Sequence, residues 1–506
     1  MKTKNPALLL WLGSSTAFLP SSTVVHPTTS GSLIKQKNHQ PSPRSSTLFS
    51  AIPISPGDAH FSGEEESTSA PTTKASSVAS ATFNLIKAML GTGVLALPSG
   101  LAAISNHRSI LFPGNVLLVI LGALSAYTFS LYGRLTHHYP QARSLGDLWD
   151  TIQKGKSQVP VVSIANLIFC LGCNLTFLLV IGDSLSSLLS ISGTTAWWAS
   201  RQTAILAVTS TLLWPLCNLP SLNALAPVSL LGVVGTLFVT AFMGFRCPSL
   251  VANSPYAAAL PVFETYHRVQ GPAPLILIAM GCVAFMAHFS APDFYHAVAG
   301  TPKDKSATST PATTSTSNNA QALKKFTLVT LLGFASVALL NAATITFGFL
   351  TFGGNAQGII LNNYATQDWG AIVSRLLVVI SVIGGFPFLF TAGRGAALDL
   401  WPAAPDHKAN RERKMTAGLL AGLTALSLVL KDAGFVIGFN GALLGSAIIY
   451  IFPALLFLKH TASLPVTRIR SLERWFCRFL VAMGGVSSVI GAGTTVLLTY
   501  FPHMLR

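Results

Sequence analysis

The sequence predicts an all-α integral membrane protein of about eleven transmembrane helices, and three observations carry that reading. The chain has 506 residues of which 50% are hydrophobic and only 9% charged, against about 25% charged in soluble domains. Apolar stretches of roughly 20 residues, the length that spans a bilayer, recur from Ser80 onward, at about 80–103, 110–133, 159–185, 201–219, 226–245, 272–296, 326–352, 371–393, 414–431, 433–458 and 475–500. The alternating segments of about ten residues that a membrane barrel requires are not found.

The formal net charge of +16 is topological. If alternate connections face opposite sides, one set holds seventeen Lys and Arg, from Arg134 to Arg474, and the other set with the C-terminus holds six. That is a positive-inside bias. It puts the start of the first helix inside and the C-terminus outside, which suits an odd number of spans. Nucleic acid is thereby excluded as a partner; the bilayer is the partner the pattern predicts.

The first element, residues 1–78, reads as a presequence. The opening MKTKNPALLLWLGSSTAFLP has the basic start and short apolar run of a signal peptide, here over 1–17. Residues 18–57 are basic, Ser-rich and free of Asp and Glu, as in a transit peptide. The Ala17-Phe18 junction resembles that of the two-part plastid presequences of algae with complex plastids. A presequence of that kind leaves the mature N-terminus inside, as the loops require. The expected membrane is then a plastid envelope. A cytosolic tail that imitates a signal would instead leave the protein in an endomembrane, vacuolar or plasma membrane. N-terminal sequencing separates the two: cleavage near residue 17 or within 45–75 against an intact Met1.

Residues 79–300 hold spans one to six. Span one contains NLIKAMLGTGVLALPSG, residues 84–100. Lipid cannot satisfy free backbone groups, so an unwound turn at membrane depth survives only where it lines a cavity inside the protein. Gly91, Thr92 and Gly93 form such a candidate break. The half-helix that follows would offer N–H groups and a partial positive charge to a carboxylate. Helix packing through small residues is the alternative for Gly-Thr-Gly taken alone. Lys87, one turn earlier, adds weight, because a charge within a membrane costs roughly 2.5–3.5 kcal/mol or more and marks a functional candidate. Snorkelling to the inner surface is its rival role. Buried, the amine could exchange a proton during transport.

Span three carries Cys170-x-x-Cys173, which has redox spacing but lies mid-helix and reads as packing. Its Asn174-Leu175-Thr176 sequon is inside the span. Asp183 reads as interfacial. Span six supplies a second break, GCVAFMAHFSAPDFYH at 281–296, as inverted repeats would require. Pro292 removes a backbone donor there, and His288 becomes a candidate coupling residue; a satisfied core histidine is the plainer alternative. Residues 301–323, rich in Ser, Thr and Asn, read as a disordered inner loop. Residues 324–506 hold spans seven to eleven.

These segments together resemble the amino acid/auxin permease family. The resemblance begins at Asn84–Pro98. It continues through LVIGDSL (179–185), LPSLNALAPVSLLG (219–232), VAFMAHFSAPDFYHAV (283–298), TFGGNAQGIILNNY (351–364), GGFPFLFTAGR (384–394) and GFNGALLGSAIIYIFPALL (438–456). It implies a leucine-transporter-like fold, with helices 1–5 and 6–10 as inverted repeats and an amino acid, as a small-molecule substrate, between broken helices 1 and 6. By the same resemblance the backbone of Gly91, Thr92 and Gly93 would hold the substrate carboxylate. Ala284, Phe285 and Met286 would shape the side-chain pocket, with Phe177 facing the same cavity. Sodium-coupled relatives place Asn where this chain has Lys87 and a hydroxyl residue where it has Gly385. Since sodium needs oxygen ligands and an ammonium repels it, the resemblance implies sodium-independent, proton-coupled transport. No cofactor beyond the proton is expected. Neutral substrates are favoured, because no acidic residue is placed for a cationic side chain.

An intramembrane enzyme lacks its motifs: there is no HExxH and no GxSxG, and Val180 precedes Ile181-Gly182-Asp183 where an aspartyl protease needs glycine. A nutrient sensor on the same fold, or a sodium-coupled transporter, are the alternatives. Nothing in the pattern sets the oligomeric state.

Overall fold

The computed structural model describes residues 76–153, 160–192, 197–219, 226–257, 263–264, 271–300, 316–401, 408–465 and 467–501. Residues 1–75, which the sequence reads as presequence, and 301–315, which it reads as part of an inner loop, lie outside them. The described helices belong to one compact unit. In chain order they are α1 (Val78–Met89), α2 (Gly93–Ala102), α3 (Leu111–His138), α4 (Leu145–Gln153), α5 (Val161–Leu189), α6 (Arg201–Val208), α7 (Trp214–Cys217) and α8 (Ala226–Arg246). There follow α9 (Pro274–Ala284), α10 (Ala291–Ala299), α11 (Thr316–Phe352), α12 (Trp369–Leu400), α13 (Lys408–Val429), α14 (Ala433–Asn440), α15 (Phe452–Thr461) and α16 (Arg468–Tyr500).

Among the described residues, seven helices are long and apolar enough to cross a membrane, and the pair α1–α2 makes an eighth. The other three apolar stretches are helical without meeting that measure. A π-helical turn over Thr209–Leu213 separates α6 from α7. The apolar part of α8 is the shorter Leu230–Arg246, and α13 opens on the basic run KANRERK. The helices thus follow the predicted stretches, while a full count of eleven spans exceeds what length and composition carry. Helix α11 begins at Thr316, inside the loop expected over 301–323, where Ala320, Gln321, Ala322 and Leu323 are good helix formers.

Span one is broken. Helices α1 and α2 meet at an angle of 53°, and the residue that turns the chain is Leu90, extended at φ −76° and ψ 94°. Span six runs on as one unit of 26 residues from Pro274 to Ala299, but it loosens between α9 and α10, with Ala287 at φ −138° and ψ −1° and a 3₁₀ turn over His288–Ser290. Gly300 closes α10 in the left-handed conformation, φ 72°, where glycine carries no side-chain penalty.

Two sets of helices pack around these breaks. Helix α12 lies mainly on α5 and α8, whereas α11 lies on α3, α1 and α2, and α2 lies on α9. Within apolar surroundings the polar side chains pair across helices, as membrane packing favours. Thr240 meets Thr344 at 3.0 Å, Asn115 donates to Thr346 at 3.0 Å, and Ser446 donates to Ser487 at 3.1 Å. Large apolar side chains such as Phe112, Leu331, Leu339, Val429 and Val489 stay exposed around the outside, where lipid replaces water as the solvent.

Candidate functional site

A cavity of about 910 Å³ lies between α1, α4, α5, α10 and α12. Asn84, Lys87, Ala88 and Gly91 line one wall. Their spacing of 3, 4 and 7 residues puts them on one helical face. Ser163, Asn166 and Phe177 of α5 stand on another wall, with Ser381, Gly385 and Phe388 of α12 on a third. At its mouth are Ser144, Asp293 and Asp399, all exposed. These residues sit at the helix ends joined to the Lys- and Arg-rich connections, so the cavity opens on the side that the charge bias assigns to the interior.

The other side is sealed. Arg375, 1% exposed, donates through Nη2 to the carbonyls of Leu361 at 2.9 Å and Tyr364 at 2.7 Å. It thereby fixes the segment that follows α11 over the bundle. Tyr364 is packed among Phe242, Phe352 and Tyr256, at ring-centroid distances of 4.9, 4.9 and 5.2 Å. Two ion pairs flank this plug: Arg246 with Asp368 at 2.9 Å, and Arg201 with Asp183 at 2.6 Å. Asp183 also accepts from Asn362 at 3.3 Å.

Beyond the floor of the large cavity lies a second chamber of about 50 Å³, which shares Leu90, Gly91, Phe177, Ser381 and Gly385 with it and adds Thr92, Val94, Thr236, Val239 and Val378. The Phe177 ring marks the junction. A methyl group at Gly91 would stand 3.8 Å from that ring and one at Gly385 3.7 Å from it.

The structure therefore brings Lys87, Gly91, Phe177 and Gly385 to one cavity, with Thr92 in the chamber behind it. The Lys87 amine lies over the Phe388 ring, 5.1 Å from its centroid. Neither glycine of the break has a positive φ; Gly271, Gly300 and Gly353 do. Gly93 serves close approach instead, since a methyl there would come within 3.1 Å of Val283 Cγ1 and of the Ala284 nitrogen. The first turn of α2 lies at the break; the Leu95 N–H takes the Thr92 carbonyl at 3.1 Å, and the N–H groups before it are those a helix start leaves without intrahelical partners.

Ala284, Phe285 and Met286 are 2%, 0% and 4% exposed and line neither cavity. Span six reaches the large cavity one turn further on, through Phe289, Ser290, Asp293 and Phe294. His288 also lies off the cavities. Its Nε2 is 3.0 Å from Thr128 Oγ1 and 3.0 Å from the Ser125 carbonyl, within a ring of Phe129, Tyr132 and Phe334. It fastens the loosened part of span six to α3. Asn174 is buried, its amide donating to the Cys170 carbonyl at 3.0 Å.

Sequence reasoning passed over Ser144, Ser163, Asn166, Ser381 and Asp399. The signal for Asn166 was its spacing of eleven residues from Phe177, three turns along one face, and for Ser381 its place one turn before Gly385.

Comparison with known proteins gives a family, two relatives and a solved structure. The family model described as "Transmembrane amino acid transporter protein" matches residues 74–498. The sodium-coupled neutral amino acid transporter 7 of Xenopus laevis is 23% identical over 402 residues, covering 75% of this chain and 80% of that protein. Solute carrier family 38 member 8 of Mus musculus is 24% identical over 425 residues, covering 78% and 88%. Among solved structures, the manganese transporter of Eremococcus coleocola superposes with a TM-score of 0.50 at 10% identity, over 83% of this chain and 88% of that one. The likeness to the last is of fold alone, and that fold is leucine-transporter-like.

Proposed function

We propose, from the premise that the chain belongs to the transmembrane amino acid transporter protein family, that it carries neutral amino acids across its membrane by alternating access around the breaks in spans one and six. The observation that carries this reading is the 53° break between α1 and α2, set at the floor of a cavity open to one side and stoppered at the other. A substrate carboxylate would be held by the free N–H groups of Gly91 and Thr92, where the start of α2 adds a partial positive charge; Gly93, packed on Val283 and Ala284, lines neither cavity. The structure described is the state open to the interior.

Coupling is to the proton. Lys87 is half-buried in the wall of the cavity, and among the described residues no carboxylate lies within ion-pair distance of its amine. A proton on Lys87 changes the charge beside the break by one unit, at a distance where the substrate's own charges feel it. An ammonium there and the lack of a side-chain oxygen at Gly385 both work against a sodium ion at this place. Sodium coupling remains the second reading, because the Xenopus relative is named for it and the hydroxyls of Thr92 and Ser381 line the adjoining chamber. Membrane placement in a plastid envelope follows from the reading of residues 1–57.

The test is uptake of a neutral amino acid mixture into proteoliposomes under an imposed pH gradient without sodium, for wild type and Lys87→Ala. Gradient-driven uptake that Lys87→Ala abolishes is the expected result. Uptake that starts only when sodium is added overturns the coupling and keeps the transport. Binding without uptake under either condition overturns transport in favour of a sensor.

A further inference from the structure

We infer that Phe388 is a positioning residue for the coupled proton. Its ring seats the Lys87 ammonium in the state open to the interior, and so keeps an empty carrier from returning with the proton still bound. The inference rests on the reading of Lys87 as the proton carrier.

The Lys87 amine lies 5.1 Å from the centroid of the Phe388 ring, within the ~6 Å over which a ring face attracts a cation. Lys87 comes from α1 and Phe388 from α12, on different walls of the large cavity. Phe388 is 37% exposed, so the ring is open to a partner. Charged groups that line the same cavity are Asp293 of α10 and Asp399 of α12, both at its mouth. His296 of α10 is turned to the Ala142 carbonyl, and Arg394 of α12 donates to the Cys217 carbonyl and Thr416. On the other helices packed against α1, Lys324 and Lys325 stand near the start of α11 and Arg246 ends α8. Among the described residues no carboxylate pairs with Lys87. Its charge rests on the ring and on the water of an open cavity.

Closing the cavity removes that water, and a lone ammonium then loses its solvation. A bound substrate offsets the loss: its carboxylate at Gly91 and Thr92 stands one turn, roughly 6 Å along the axis, from Lys87. Once the substrate has left, the ammonium keeps the ring as partner only while α1 and α12 hold this spacing. A proton shifts the two states only by its different interaction with each, and the ring is such a difference. A cation over a ring is worth about twofold at an exposed site and about thirtyfold when desolvated. The protonated empty carrier is thereby held open until Nζ gives its proton to interior water. The neutral amine has no charge to bury and no attraction to the ring, and the carrier closes.

The experiment follows a pH-sensitive dye trapped in proteoliposomes of the full-length protein under an imposed pH gradient, first without amino acid and then with a neutral amino acid mixture. Wild type is compared with Phe388→Leu, Phe388→Met, Phe388→Tyr and Lys87→Gln, each checked for its thermal unfolding midpoint. Proton flux without amino acid, above the Lys87→Gln background, should rise about 2–30-fold in Phe388→Leu and Phe388→Met. Phe388→Tyr keeps a ring and should stay near wild type. Adding Lys87→Gln to Phe388→Leu should return the flux to background. Unchanged flux in the folded ring-less variants, unfolding of both, an equal leak from Phe388→Tyr, or a leak that survives in the double variant overturns the role of Phe388 and leaves transport intact. Amino acid uptake that ignores the pH gradient and starts only with sodium overturns the coupling reading, and the seat with it.

Discussion

Substituting Gly93 should separate two halves of the site that only touch through the absence of a side chain. A β-carbon at residue 93 would lie 3.1 Å from the Ala284 nitrogen, 3.1 Å from Val283 Cγ1 and 3.2 Å from Ala284 Cα. Carbon contacts are most favourable at about 3.5–4.0 Å, so α2 and α9 have to part by several tenths of an ångström. Two of the three contacts are with backbone, which has no rotamer to change. Overpacking of this kind costs about 1–3 kcal/mol. At Gly91 the same methyl group meets only the Phe177 ring at 3.8 Å, an ordinary contact. Gly93→Ala should therefore unfold at lower temperature and raise KM by about fivefold to a hundredfold, since about 1.4 kcal/mol is a factor of ten. Gly91→Ala should keep its unfolding midpoint, and its KM should change less. The assay is uptake of alanine into proteoliposomes, paired with thermal unfolding of the solubilised protein. Equal damage from the two substitutions, or a Gly93→Ala protein that matches wild type in both readouts, would refute the close approach of α2 and α9 as the reason for glycine.

Two further predictions concern the frame of the site. At Gly441 a methyl group would come within 2.0 Å of the Ala279 carbonyl oxygen, whereas at Gly493 nothing lies within 4 Å. Gly441→Ala should fail to yield folded protein or lose several degrees of unfolding midpoint, while Gly493→Ala should gain up to about 1 kcal/mol from helix propensity; thermal unfolding of both decides it. Burial pushes the Asp368 carboxyl up, but hydrogen bonds from Arg246, the Gly370 N–H and Tyr256, with the Arg246 charge, outweigh it and leave the group below its ordinary value. The unfolded chain then takes up the proton first, so this stabilisation is complete above about pH 4, the unfolded value, and drains away as pH falls through the folded one. Wild type should lose more unfolding temperature than Asp368→Asn between pH 5 and pH 3, and equal losses would show that the outer plug does not depend on this carboxylate.

The sequence alone determined that the chain is a helical membrane protein, where its helices lie, and that the first span breaks beside a lysine. These are consequences of local chemistry: apolar length, the cost of a charge in lipid, and the need of freed backbone for a cavity. It also pointed to Gly91, Phe177 and Gly385 as members of one site, through their place in recognisable segments. What it could not settle was which side of each helix faces which neighbour. His288 looked like a coupling group because an ionisable residue in a broken span invites that role, yet its ring is used to bind α3 through Thr128 and Ser125. Ala284, Phe285 and Met286 sit at the break and are buried by packing, so the open space falls toward α8 and α12 instead. Gly93 needed no special φ; its requirement comes from a helix 190 residues away in the chain. The ion pairs and Arg375 that close one face join residues brought together from separate helices and loops. Burial and close approach are properties of pairs of elements, and only the packed bundle assigns them.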